Sequence, residues 1–198
     1  MRTGLDSRYF IWAVLCLPSL PIASALLAGG DHAAADALHE SGEFSARLMI
    51  IAMIMTPLVM LAPRWRFFRW LLDRRRYFGV AAFAYAAVHA IIYLVDLGSA
   101  REVLGQFFTL SILAGWLGLF FFMPLAVTSN DWAVRLLGRR WRVLHRLVYA
   151  AAVVVLVHWA LVGEEAIGAV VQYAPLILLE GYRVWRVFVR PRVVAGVA

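Results

Sequence analysis

Six long apolar stretches alternate along the chain with short segments rich in arginine or in acids. They run from Tyr9 to Ala28, Phe44 to Ala62, Tyr77 to Leu97, Phe107 to Thr128, Val143 to Val162 and Ala166 to Tyr182. About 20 apolar residues coiled as a helix rise about 30 Å, the thickness of a bilayer's hydrocarbon core. The pattern therefore predicts an all-α polytopic bundle of six transmembrane helices. The sixth stretch is the shortest and holds Gln172 and Pro175 before ending at Glu180. The first has a rival reading, because Arg2 and Arg8 ahead of it and Ala23-Ser24-Ala25 within it resemble a signal peptide and its cleavage site. Its apolar run continues to Ala28, so a retained helix is expected, and cleavage would leave the topology of the others unchanged.

Composition narrows the class. Of 198 residues 64% are hydrophobic and 16% charged, with a mean hydropathy of +0.79. The connections are too short for a nucleotide fold, a flavin-reductase domain or a molybdenum domain, so residues 1–198 are expected to form one transmembrane domain. The single cysteine, Cys16, excludes an intrachain disulfide and the thiolate set of an iron–sulfur cluster.

The net charge of +7 comes from arginine alone, and in a soluble chain would suggest nucleic-acid binding. Here the arginines lie between apolar spans, where they act as topology signals and lipid-headgroup partners, and no nucleic-acid partner is expected. Of nineteen, only Arg47 and Arg101 fall on the side opposite the rest. The positive-inside rule then puts both termini and the two long connections in the cytoplasm. Asp31, Asp36, Glu40, Glu43, Glu102, Glu164 and Glu165 are expected outside.

Candidate chemistry rests on histidine, since ionisable groups at membrane depth default to function. His89 lies 13 residues beyond Arg76, about 20 Å into the membrane, and His158 lies 12 beyond Arg146, about 18 Å in on a helix running the same way. Level imidazoles on two parallel helices suit the axial positions of a haem iron, and six-coordinate low-spin iron suits electron transfer. Ala86 and Ala82 below His89, and Ala151 below His158, would leave room for a flat macrocycle. Transition-metal binding by the same histidines lacks a nearby cysteine, methionine pair or carboxylate to complete the sphere. An ion transporter lacks carboxylates in mid-membrane.

His145 lies near the cytoplasmic surface, where the third span offers Arg75 and Arg76 rather than a second histidine. It can ligate a second haem with another partner, hold a propionate or flavin phosphate, or cap its helix. His32 and His39 sit in a polar external segment and are expected to be solvated. Trp65, Trp70, Trp132, Trp141 and Trp185 are expected as interface anchors, and Gly115 and Gly118 as aids to helix packing. Arg47, isolated near the outer end of the second span, either snorkels to headgroups or clamps a haem propionate.

Two motifs resemble a known family. The run from Arg75-Arg76-Tyr77-Phe78-Gly79 through Tyr85 to His89, followed by Tyr93, is similar to the third helix of MsrQ proteins, also called YedZ. Leu137-Gly138-Arg139-Arg140-Trp141-Arg142-Val143-Leu144-His145-Arg146, with His158 thirteen residues after His145, resembles their fifth. Gly42, Thr56-Pro57-Leu58 and Thr128-Ser129 fit the same pattern, while Val59 to Asp73 is an insertion relative to it. MsrQ proteins belong to the ferric-reductase-like transmembrane superfamily. The resemblance implies an inner-membrane b-type cytochrome, with FMN as a further cofactor, that passes electrons to a periplasmic molybdopterin-dependent methionine sulfoxide reductase, MsrP. It also implies haem-associated roles for His89, His145 and His158.

The combined expectation is a haem b conduit with no catalytic residue of its own. It takes electrons from a cytoplasmic flavin reductase or the quinone pool and delivers them to an MsrP-like acceptor. The alternatives are a stand-alone ferric or other transmembrane reductase and, from a different class, a histidine-based metal carrier or membrane scaffold.

Overall fold

The computed structural model describes residues 7–30, 32–162 and 166–189, and every regular element in them is a helix. In chain order these are α1 (Arg8–Cys16), α2 (Ser19–Ala28), α3 (Ala33–Leu61), α4 (Arg66–Asp73), α5 (Arg75–Leu97), α6 (Ala100–Gln106), α7 (Leu110–Val127), α8 (Asp131–Leu137), α9 (Arg139–Leu144), α10 (Leu147–Val162) and α11 (Ala166–Val184). A π-helical turn, Trp185–Val189, continues α11. Arg2, Asp31, Glu164, Glu165, Arg190 and Arg192 lie outside the described residues.

Among the described residues five segments are long and apolar enough to cross a membrane: Arg8–Ala28, Ala33–Leu61, Arg75–Leu97, Leu110–Val127 and Arg139–Val162. They correspond to the first five predicted spans. The sixth forms the helix α11 but is not one of the five, and Glu180 and Arg183 stand in its last turns.

Three boundaries differ from the apolar pattern. The first span is two helices, because Pro18 has no N–H to donate and its ring crowds the preceding turn. Ser19 Oγ closes the break by donating to the Cys16 carbonyl at 2.7 Å. The second span's helix begins at Ala33 rather than Phe44, about three turns earlier. Ala, Leu and Glu propagate a helix beyond the apolar zone. Asp36, His39, Glu40 and Glu43 are consequently helical residues, not loop residues, and His32 occupies the N-cap position. The fifth span breaks at His145 and Arg146, where Arg146 N–H turns to the Val143 carbonyl three residues back, so the imidazole stands at a kink.

Helix α3 is central and packs along α5, with α2, α4 and α11 also against it, while α7 pairs with α10. Lipid provides no extra hydrophobic drive for such pairing, so close approach of backbones through small residues matters most. Ala37, Ala81, Ala82 and Ala151 are buried at these contacts. Ser45 Oγ donates to the Ala82 carbonyl at 2.9 Å, joining α3 to α5, and Tyr85 Oη donates to the Leu15 carbonyl at 2.9 Å, joining α5 to α1. Large apolar side chains such as Ile91, Val95, Phe120 and Val153 are exposed on the outside of the bundle, as lipid-facing positions require.

Candidate cofactor site

His89 on α5 and His158 on α10 meet near the end of the bundle where α3 and α7 begin. Their ring centroids are 5.9 Å apart and their planes stand at 87°. His89 Nδ1 lies 2.9 Å from the Leu38 carbonyl oxygen and His158 Nδ1 lies 2.7 Å from that of Ser111. A carbonyl only accepts, so each Nδ1 carries the hydrogen and donates it, leaving Nε2 with a free lone pair. A backbone carbonyl on the non-ligating nitrogen is the usual device for fixing the tautomer and raising the basicity of a metal-binding imidazole. Two metal–nitrogen bonds of about 2 Å each, together with the ring radii, add to about 6 Å. The pair is therefore spaced to hold one metal atom between its rings.

Glycines make the approach possible. A Cβ on Gly42 would fall 3.0 Å from His89 Nδ1 and Cε1, and one on Gly115 would fall 2.9 Å from the same atoms of His158. The cavity beside the rings holds about 90 Å³, or about 650 Å³ with its opening included, and is walled by α3, α5, α7 and α10. Ala86, Gly118 and Phe122 line it, as do Tyr93 and Trp116. Among the described residues no cluster of three or more His, Cys, Asp or Glu could hold a metal ion. Two imidazoles in an apolar cavity suit a metal that brings its other donors with it, as a macrocycle does.

A larger cavity of about 370 Å³ opens toward the other end of the bundle. His145 lines it with Arg75, Arg76, Arg142, Arg146 and Arg183, against which Glu180 is the single acid. Phe122 lines both cavities.

Residues 41–156 match the family described as the ferric reductase like transmembrane component. Three relatives share the printed name protein-methionine-sulfoxide reductase heme-binding subunit MsrQ. That of Agrobacterium fabrum is 35% identical over 155 residues, covering 75% of this chain and 68% of the relative. That of Xanthomonas axonopodis pv. citri is 34% identical over 80% of this chain and 74% of its own length. That of Brucella anthropi is 31% identical over 96% and 86%. The chain belongs to the MsrQ family. No solved structure matches it.

The matched region contains His89 and His145 and stops just short of His158, so the resemblance read from the third and fifth spans lies on the structure's own site elements. His145 is held differently from the other two histidines. Thr128 Oγ1 donates to the Pro124 carbonyl at 2.6 Å and so has only lone pairs left for His145 Nε2, 3.0 Å away. Nε2 of this MsrQ-type histidine is thus the donor, and Nδ1 is the nitrogen left free. Trp141, expected as an interface anchor, stacks on the ring at 3.8 Å and donates through Nε1 to the Thr128 carbonyl.

Arg47 is not among the residues lining the cavity of the paired imidazoles. Its guanidinium meets Glu43 Oε2 at 2.6 Å and donates from Nε to Gln172 Oε1 at 2.7 Å, binding α3 to α11. His39 lies 3.7 Å from Glu43 and is exposed, as is His32. Ala86 lines the histidine cavity and Ala82 the arginine cavity, whereas Ala151 lines neither and is fully buried in the packing. The packing role expected of both glycines suits Gly118, whose Cβ would meet Val155, but Gly115 faces His158. The Leu38 and Ser111 carbonyls have no sequence signature, because backbone carbonyls occur everywhere; Thr128 belongs to the family pattern, but nothing in that pattern pairs its hydroxyl with His145.

Proposed function

We propose that this chain is the haem b electron conduit of a methionine sulfoxide reductase system, with His89 and His158 as the axial ligands. The observation that carries the reading is the pair of imidazoles 5.9 Å apart, each tied through Nδ1 to a backbone carbonyl. His89 and His158 would hold the haem, which would supply a one-electron carrier there. The chain's own residues hold and orient the imidazoles, and the apolar wall keeps water from them.

The remaining parts of the proposal follow from charge and position. The arginine split favours both termini in the cytoplasm, with α11 as a sixth crossing of the inner membrane and residues 1–198 as one domain. The arginine-lined cavity then faces the cytoplasm and suits an anionic donor such as the phosphate of FMN carried by a flavin reductase. The quinone pool is the alternative donor. His145 belongs to this inner cavity. In this reading electrons pass outward past Phe122 to the histidine pair and on to a periplasmic molybdopterin-dependent acceptor of the MsrP type; the relatives' name, as heme-binding subunits of a protein-methionine-sulfoxide reductase, supports a methionine sulfoxide reductase as the acceptor.

Purified protein from haem-supplemented cells tests the reading directly. A Soret band that sharpens and shifts on dithionite reduction is expected, and its loss in both His89→Ala and His158→Ala. A colourless wild type would defeat the proposal and return the metal carrier or scaffold. Co-reconstitution with a methionine sulfoxide reductase subunit separates the MsrP-type acceptor from ferric iron, the substrate class suggested by the wider family's description.

A further inference from the structure

Each imidazole of the pair rests on a glycine of the facing helix, and each donates to the carbonyl four residues before that glycine: His89 on Gly42 with Leu38, His158 on Gly115 with Ser111. The same construction occurs twice, once on α3 with α5 and once on α7 with α10. Its physical basis is simple. A helical Cβ tilts toward the N-terminus, so a side chain at any position covers the turn before it, where the carbonyl four residues back lies. Glycine leaves that carbonyl exposed to a ring from outside the helix.

We propose that Gly42 and Gly115 are positioning residues that set the angle between the two imidazole planes and the length of their Nδ1–H bonds, and through them the reduction potential of the metal they hold. The proposal rests on the haem reading above. Planes at 87° leave the two iron orbitals that interact with the imidazoles close in energy, which gives a strongly anisotropic low-spin signal in paramagnetic resonance. A Cβ at 2.9 to 3.0 Å from two ring atoms is tighter than ordinary contact, so alanine pushes the ring away by a few tenths of an ångström or turns it. A longer hydrogen bond from Nδ1–H to its carbonyl makes the imidazole a weaker electron donor, the ferric state loses more than the ferrous, and the potential rises.

Gly118 provides the control, because its Cβ would meet Val155 Cγ2 at 3.0 Å, equal crowding between the same two helices but against an aliphatic side chain. Gly42→Ala, Gly115→Ala and Gly118→Ala are compared with wild type by resonance spectroscopy, haem content and redox titration. The first two should lower the signal's anisotropy and raise the midpoint by the equivalent of a several-fold change in ferric preference, tenfold being about 59 mV for one electron. Gly118→Ala should leave both at wild-type values. Loss of the low-spin haem in the first two with full retention in the third supports the same conclusion. Unchanged signal and midpoint in Gly42→Ala and Gly115→Ala, or equal changes or losses in all three, would overturn it. A wild type without haem overturns the haem reading instead.

Discussion

His89 on α5 and His158 on α10 come from helices separated by four others in sequence, yet their rings stand 5.9 Å apart with each Nδ1 committed to a carbonyl. Backbone carbonyls of the facing helices hold both rings in place. Preorganisation of this kind lowers the cost of binding, since little side-chain freedom remains to be lost.

The two histidines are therefore expected to act as a unit. His89→Ala and His158→Ala should each abolish the low-spin spectrum, and the double variant should lose no more than either alone. Binding at a hundred times Kd contributes about 2.7 kcal/mol to stability, so each single variant should melt several degrees lower than haem-loaded wild type. Full haem content with an unchanged spectrum in either variant would sink the pairing.

His145 is expected to behave otherwise, because Thr128 engages its Nε2. His145→Ala and Thr128→Val should keep the low-spin haem at wild-type content. Thr128→Val strands a partly buried N–H, which costs about 1 to 3 kcal/mol and should appear as reduced thermal stability. Loss of all haem in His145→Ala would show that this histidine reaches the outer site.

Electron uptake through the inner cavity should depend on its charge. Arg142→Gln combined with Arg146→Gln should slow reduction by an anionic flavin donor by tenfold or more at low ionic strength, while the dithionite-reduced spectrum stays unchanged. Raising salt should slow wild type toward the variant, since exposed charges are screened over about 10 Å at 0.1 M. Equal rates at low salt would exclude this cavity as the donor's approach.

Arg47 is joined to Glu43 and Gln172, so Arg47→Leu should leave the haem midpoint unchanged and loosen α11 from α3. The loss is expected near the average of about 0.6 kcal/mol for polar contacts between membrane helices. A lower midpoint in a redox titration of this variant would place the guanidinium beside a propionate after all.

Topology decides whether α11 crosses. Reporter fusions after Gly98 should read outside, and those after Asp131 and Ala198 inside, as the arginine distribution requires. An external C-terminus would leave five crossings and end the two-termini-inside arrangement.

Much of this was legible in one dimension. Apolar runs near 20 residues and arginines gathered on one side specify a polytopic bundle, because hydrocarbon rejects unpaired backbone and charge wherever the chain folds. The common depth of His89 and His158 also follows from counting, since a helix rises by a constant step. Tertiary structure decided what counting does not reach. Pro18 breaks one span and the kink at His145 breaks another, while α3 outruns its apolar stretch to carry Asp36, Glu40 and Glu43 as helix. Which nitrogen each histidine presents was settled by carbonyls of Leu38 and Ser111 and the hydroxyl of Thr128, groups brought within hydrogen-bond reach only by helices packing on one another. Hydropathy acts on each residue alone and can be read from a line; tautomer, ring angle and the division of arginine from imidazole depend on neighbours distant in the chain, and those exist only once the bundle has closed.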